Sequence, residues 1–107
     1  MEFGKLLKDR RKELNVSQRQ LAEWVGVDFT YISKIENEIL APPSEETIQK
    51  MAHVLQTDAI QWILSAGKIP AEFQKVIIEE PHVVSFIRKA PELTESDWKE
   101  IYEIINH

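Results

Sequence analysis

Four polar side chains, those of Thr30, Ser33, Lys34 and Asn37, recur at a spacing that places them on one side of an α-helix. The opposite side of the same segment carries two isoleucines at core spacing. Apart from one lysine the polar side is uncharged, whereas a merely solvated helix more often carries Glu/Lys pairs. Short hydrogen-bonding side chains suit contact with base edges and phosphates. The chemistry predicted here is therefore hydrogen-bonded recognition of a nucleic acid duplex.

Local capping residues indicate that this segment is the second of two short helices joined by a tight turn. Ser17 stands three residues before Gln20, which is the spacing of a capping box at a helix start. Gly26 falls where a helix ends in the left-handed conformation, and Asp28 offers the cap for the next helix, predicted over residues 29–37. A helix-turn-helix of this kind commonly places its second helix in the major groove of DNA.

Four motifs at matching spacing resemble the phage repressor and Cro-like helix-turn-helix family, also called the xenobiotic-response-element family. They are S-Q-x-x-L-A at Ser17 to Ala22, V-G-V at Val25 to Val27, Y-I-S-K-I-E-N at Tyr31 to Asn37 and P-S-x-E-T-I at Pro43 to Ile48. The resemblance covers roughly Phe3 to Ala66. It implies an all-α fold with a five-helix repressor-like DNA-binding domain.

The resemblance also implies roles for individual residues. Those implied to contact DNA are Gln18, Arg19, Phe29, Thr30, Tyr31, Ser33, Lys34 and Asn37. Gln18 and Arg19 would meet phosphates and Asn37 would meet the backbone. The residues that would meet bases are Phe29, Thr30, Ser33 and Lys34. An ion pair of Arg11 with Glu36 is implied as a structural element.

Two positions depart from the family pattern. Phe29 occupies a place where polar residues are usual, and an aromatic ring can touch a thymine methyl group but cannot hydrogen-bond to a base. Asn37 and Glu38 replace the usual glycine after the second helix. The first departure leaves open which base this helix would read.

The distribution of charge limits the strength of DNA binding. The chain has 107 residues and a formal charge of −5, which by itself argues against a DNA-binding protein. Residues 1–67 hold eight Lys/Arg against ten Asp/Glu, and residues 68–107 hold five against eight. The first nineteen residues, however, hold six positive and three negative side chains. We therefore expect few phosphate contacts, a shallow salt dependence and a strong benefit from a second copy.

Bulk composition excludes several other classes of protein. Zero cysteines exclude disulfides and thiolate metal sites, and His53, His82 and His107 lie too far apart in sequence to match a ligand motif. No segment approaches the roughly 20 apolar residues needed to cross a bilayer, and the first residues resemble no signal peptide. We expect a soluble, cytoplasmic protein without cofactor. No phosphate loop, nucleophile elbow or His-Glu-x-x-His motif suggests an enzyme.

Three more helices are predicted around the central pair, within a DNA-binding domain over residues 1–67. One runs from Phe3 to Leu14, one follows the cap Ser44, and one follows Thr57 or Asp58. In the last of these helices, the residues expected to point inward are Ile60, Ile63 and Leu64, and those expected on another side are Ala59 and Trp62.

Residues 68–107 are predicted to form a helical C-terminal segment with large apolar stripes. About forty residues rarely bury such stripes alone, so the segment either folds back in cis or pairs with a second copy. We favour dimerisation, because a half-site reader gains most from a second copy about 34 Å away along the DNA. The predicted dimer interface comprises Trp62, Phe86, Trp98, Ile101, Tyr102 and Ile105.

Two hypotheses of different class follow. The first is a sequence-specific transcriptional regulator, a dimeric repressor that reads a pseudo-palindromic operator. The second is a protein-interaction adaptor, or an antitoxin partner, that keeps the fold without specific DNA binding and uses Phe29, Trp24 and Trp62 as exposed aromatics. The motifs I-P-x-x-F at Ile69 to Phe73 and D-W-x-x-I-Y at Asp97 to Tyr102 resemble the tails of repressors inactivated by a metalloprotease. A regulatory protease or a toxin is therefore a candidate partner.

Overall fold

The computed structural model describes residues 3–106, and over that range every regular element is a helix. The elements are α1 (Phe3–Glu13), α2 (Gln18–Val25), α3 (Phe29–Glu36), α4 (Glu45–Val54), α5 (Ala59–Ser65), α6 (Ala71–Glu79), α7 (Pro81–Lys89), a 3-10 turn (Ala90–Glu92) and α8 (Glu95–Ile105). Their contacts divide the chain into two units, and the division falls between Pro70 and Ala71. The predicted all-α class is confirmed. His107, one of the three histidines considered above, lies outside the described residues.

The helix boundaries of the first unit follow from local capping. The Ser17 side chain accepts the amide N–H of Gln20 at 3.0 Å, and Gln20 Oε1 accepts the amide N–H of Ser17 at 2.9 Å. Gly26 ends α2 with φ 82°, and the Asp28 carboxylate caps α3. Of the two predicted caps for α5, Asp58 is the one used. The predicted capping box, glycine turn and cap of the central helix pair are confirmed.

One apolar core holds α1 to α5 together. Its buried residues come from all five helices and the segments beside them: Phe3, Leu7, Val16, Leu21, Ala22, Val25, Ile32, Ile35, Ile48, Met51, Ala52, Leu55, Trp62 and Ile63. Ile32 and Ile35 are the residues that α3 contributes to this core, as the helical periodicity predicts. Because these two side chains point inward, the opposite side of α3 is left on the surface of this unit.

The sides of α5 differ from the prediction. Trp62 is only 3% exposed and its ring meets the Phe3 ring edge-to-face, with centroids 5.8 Å apart. Leu64, predicted to point inward, is 39% exposed. The assignment of Trp62 to an interface between copies is therefore wrong, because the indole fills core space beside α1. An edge-to-face pair of large rings stabilises this arrangement beyond the area that it buries.

The backbones of α1 and α3 approach each other closely at Gly4. Gly4 is buried, and a Cβ at this position would overlap the carbonyl oxygen of Ile35 and lie 3.0 Å from that of Glu36. Only a residue without a side chain leaves room for the last turn of α3. The position of this helix end thus depends on one glycine near the start of the chain.

The second unit consists of three short helices and the 3-10 turn. The Thr94 side chain accepts the amide N–H of Asp97 at 3.2 Å and Asp97 accepts the amide N–H of Thr94 at 3.0 Å, so the predicted capping box of α8 is confirmed. Trp98 meets Phe86 edge-to-face at 5.9 Å and lies 6.2 Å from Tyr102. No described residue of the helices α6, α7 and α8 is fully buried. Within the described part of the chain, no helix is long and apolar enough to span a bilayer.

Candidate nucleic-acid interface

The exposed side of α3 carries the polar residues singled out in the sequence. Thr30, Lys34 and Asn37 are exposed and Ser33 is half-buried. Thr30 Oγ1 donates to the Asp28 carboxylate at 3.0 Å, and Asn37 Nδ2 lies 3.5 Å from Ser33 Oγ. Both contacts are local, so each side chain keeps acceptor or donor capacity for an outside partner. The structure thus brings four of the candidate residues onto one continuous polar face.

Lys34 carries the only positive charge on α3. The ion pairs found within residues 3–106 join other side chains and do not include Lys34. An exposed ammonium group with no carboxylate partner is available to meet a phosphate or the acceptor atoms of a guanine. This is the strongest hydrogen-bond donor that the polar face can offer to a ligand.

Phe29 and Tyr31 occupy the flanks of the first turn of α3. Both rings are half-buried and pack against the core cluster. The candidate role of Tyr31 in DNA contact is therefore combined with an anchoring role for its ring. On its other side Phe29 meets the guanidinium group of Arg19, whose Cζ atom lies 4.4 Å from the ring centroid. The first turn of α3 is thus coupled to the first turn of α2.

A buried ion pair fixes the far end of α3. Arg11 donates from Nε to Glu36 Oε2 at 2.7 Å and from Nη2 to Glu36 Oε1 at 2.8 Å, and its Nη1 donates to the Val16 carbonyl at 2.9 Å. The hydrogen bond to Glu36 raises the pKa of Arg11, so this side chain stays charged. The pair that the resemblance implies is thus present as a bidentate contact, which is the strong form of such pairs.

Gln18 extends this pair to the start of α2. Its Nε2 donates to Glu36 Oε1 at 3.0 Å, so one carboxylate receives donors from α1 and from α2 while it belongs to α3. The resemblance assigns Gln18 to a phosphate, and the remaining amide atoms of Gln18 can still serve that role. Its contact with Glu36 has no signal in the sequence, because the two residues are 18 positions apart.

Several of the early positive charges serve the fold. Arg10 donates from Nε to the Leu55 carbonyl and from Nη2 to the Gln56 carbonyl, both at 3.0 Å, and so satisfies the C-terminal end of α4. Lys5 pairs with Asp9 at 2.6 Å. Because Arg11 is also engaged, the basic cluster near the start of the chain offers fewer charges to a phosphate backbone than its composition suggests.

Residues 3–106 contain no group of three or more His, Asp or Glu side chains placed to hold a metal ion. The side-chain polar atoms that are fully buried in this range all have hydrogen-bond partners. What this part of the molecule offers to a ligand is the set of exposed donors and acceptors on α3, at Thr30, Lys34 and Asn37.

Comparison with known proteins gives a consistent result. A helix-turn-helix family model, HTH_3, matches residues 7–62, just over half of the chain. The chain is 36% identical over 69 residues to the uncharacterized HTH-type transcriptional regulator RghRB of Bacillus subtilis, covering 64% of this chain and 50% of that protein. It is 37% identical over 57 residues to the ImmF control region 10 kDa protein of Bacillus phage phi105, covering 53% and 62%. The chain thus spans between half and two thirds of these curated relatives.

Solved structures show the same fold. The crystal structure of SinR, a master regulator for biofilm formation, in complex with DNA matches with a TM-score of 0.54 and 33% identity, covering 57% of this chain and 97% of that one. The SinR/SinI complex matches 95% of this chain and 92% of that one with a TM-score of 0.54 at 23% identity, which supports likeness of fold alone. The SinR sequence of Bacillus subtilis is 30% identical over 82 residues, or 70% of this chain and 73% of that protein.

Proposed function

This chain belongs to the helix-turn-helix family HTH_3 of DNA-binding transcription regulators, a non-enzymatic class, and from that premise we propose that it is a dimeric repressor reading a pseudo-palindromic operator. The observation that carries the proposal is the polar face of α3, with Thr30, Lys34 and Asn37 exposed and the helix locked at both ends. On this proposal the protein acts in the cytoplasm, where its operator lies.

In the proposed complex α3 enters the major groove. Thr30, Ser33 and Lys34 read base edges, and Asn37 at the end of the helix meets the backbone. Arg19 and Gln18 lie in the first turn of α2, where amide groups and the helix dipole also favour a phosphate. A DNA complex has been solved for the relative SinR, and this supports the assignment of DNA as the ligand.

The second unit is proposed to provide the dimer contact. Phe86 and Trp98 contact each other within this unit, and Phe86 remains 41% exposed. Tyr102 is 57% exposed and Ile105 is 67% exposed on the same stripe of α8 as Trp98. Exposed aromatic and aliphatic side chains in a contiguous patch are typical of interaction surfaces. A second copy of this chain would cover them.

Ile105→Ala is expected to weaken the dimer by about tenfold or more, because it removes an apolar anchor from the stripe. Ile104→Ala provides a matched control. Ile104 is 70% exposed on α8, close to the exposure of Ile105, but its side chain points about 110° away from the apolar stripe that includes Trp98 and Tyr102. Sedimentation equilibrium measures the dissociation constant of both variants. Equal effects of the two substitutions, or a wild-type monomer at tens of micromolar, would contradict the proposed interface.

Lys34→Ala and Arg19→Ala are expected to separate base reading from phosphate contact. A preferred duplex is first selected from a random DNA pool, and affinities are then measured for this duplex and for random DNA. Lys34→Ala should weaken the selected duplex about tenfold and random DNA far less, because base contacts carry the sequence information. Arg19→Ala should weaken both and reduce the slope of log affinity against log salt by about 1. Equal losses on both duplexes for Lys34→Ala would remove its base-reading role.

The adaptor hypothesis is supported by one observation. Trp24 on α2 is 51% exposed, and an exposed indole is a common anchor for a protein partner. A gel shift with the promoter region of the protein's own gene separates the two functions, because an adaptor without specific DNA binding would leave this duplex unshifted. The motifs at Ile69 to Phe73 and Asp97 to Tyr102 make a regulatory protease a candidate partner under either hypothesis, and a toxin would be the partner of an antitoxin.

A further inference from the structure

We propose that Phe29 acts as a positioning residue that holds the Arg19 guanidinium group at the DNA surface, and that it does not itself read a base. The inference deepens the proposed function and rests on it. Phe29 is the first residue of α3 and Arg19 is in the first turn of α2, so their contact lies between the two helices of the motif. The Arg19 Cζ atom is 4.4 Å from the centre of the Phe29 ring, well within the range of a cation–π contact.

Arg19 contacts the Phe29 ring although a carboxylate stands at ion-pair spacing on its own helix. Glu23 stands four residues after Arg19 on α2, which is a spacing at which helical side chains of opposite charge meet. Yet the ion pairs observed among residues 3–106 do not include Arg19 with Glu23. The guanidinium group instead lies over an aromatic ring, which holds its position and leaves its charge uncompensated by a carboxylate. An uncompensated and ordered cation suits a phosphate oxygen.

The burial of Phe29 fits the same role. Its ring is half-buried and packs against the core cluster, so the ring has a fixed position. A ring that contacts the core on one side and Arg19 on another has less surface left to meet a thymine methyl group. Ordering an arginine before binding reduces the entropy that is lost when it contacts DNA. This accounts for an aromatic residue at a position where the sequence suggested a base reader.

A double-mutant cycle on the full chain tests the inference. Wild type, Phe29→Leu, Arg19→Ala and the double variant are titrated with a random-sequence duplex, and each titration is repeated at several salt concentrations. Phe29→Leu should weaken binding about three- to tenfold when Arg19 is present and less than twofold in the Arg19→Ala background. Phe29→Leu should also keep the wild-type salt slope, because Arg19 still reaches a phosphate after a larger loss of freedom. A purely structural role for Phe29 would give the same loss in both backgrounds.

Conservative variants protect the test from a folding defect. Phe29→Tyr keeps the aromatic face and should bind within about twofold of wild type, whereas Phe29→Met fills similar space without a ring and should behave like Phe29→Leu. Thermal unfolding of each variant confirms that it is folded. A loss that persists without Arg19, or that disappears when thymine in the selected duplex is replaced by uracil, overturns the inference. A wild-type chain that binds no DNA overturns the proposed function as well, so the two failures are distinguishable.

Discussion

Glu36→Ala is expected to lower the free energy of unfolding by about 3–5 kcal/mol, because it leaves the buried Arg11 charge without a partner. The side chains of Arg11 and Glu36 are only 9% and 1% exposed, so water cannot replace the lost carboxylate. The same substitution removes the acceptor of Gln18. The three helices that meet at this carboxylate would separate, and α3 would lose its fixed position. Urea unfolding followed by circular dichroism measures the effect.

Asp9→Ala is the matched control for this prediction. Asp9 pairs with Lys5 at 2.6 Å, nearly the separation of Arg11 from Glu36, but both side chains are more than half exposed. An exposed ion pair contributes at most about 1 kcal/mol, so Asp9→Ala should change stability little. A second variant, Glu36→Gln, keeps the volume and one acceptor and should fall between the two. If Glu36→Ala cost no more than Asp9→Ala, the carboxylate would not be what secures α3.

Gly4→Ala is expected to destabilise the first unit by about 1–3 kcal/mol, which is the usual cost of forcing an extra methyl group into a packed site. The direction is informative, because alanine in place of glycine inside a helix ordinarily stabilises it by about 0.5–1 kcal/mol. Here the new Cβ would overlap the Ile35 carbonyl oxygen, and backbone cannot rotate away as a side chain can. Either α1 or the last turn of α3 must shift, so affinity for the selected duplex should fall as well.

Lys12→Ala provides the comparison on the same helix, because Lys12 is exposed near the end of α1. Such a surface change should alter stability by no more than about 0.5 kcal/mol. Both variants are compared by urea unfolding and by DNA titration at a temperature where each is folded. A Gly4→Ala protein more stable than wild type would show that α1 leaves room for a Cβ beside the Ile35 carbonyl oxygen of α3.

The helix boundaries were predictable because they depend on residues a few positions apart. Ser17 with Gln20 and Thr94 with Asp97 form capping boxes whose partners lie within one helical turn. Gly26 ends α2 in the left-handed conformation, and a residue without a Cβ adopts this conformation with little steric strain. The polar face of α3 followed from the period of the helix, because Ile32 and Ile35 could only point inward.

Side-chain contacts between different helices were harder to predict from the sequence. Arg10 lies 45 residues from the Leu55 carbonyl that it caps, and nothing in α1 distinguishes it from a solvated arginine. Trp62 was placed on the wrong side of α5, because a seven-residue helix has too few turns to define one apolar side and the decisive neighbour is Phe3. The ring contact between Arg19 and Phe29 likewise joins two elements whose separation only packing sets.

The amino-acid sequence alone determined the all-helical class, the two capped helices of the central motif and the polar face of α3, because these rest on capping and on a fixed helical period. Only the tertiary structure decided which cations remain for a ligand, since Arg10 and Arg11 are taken up by acceptors on distant helices. The physical reason is that a charged side chain can reach any acceptor within a few ångströms. Which acceptors lie there depends on how all five helices pack.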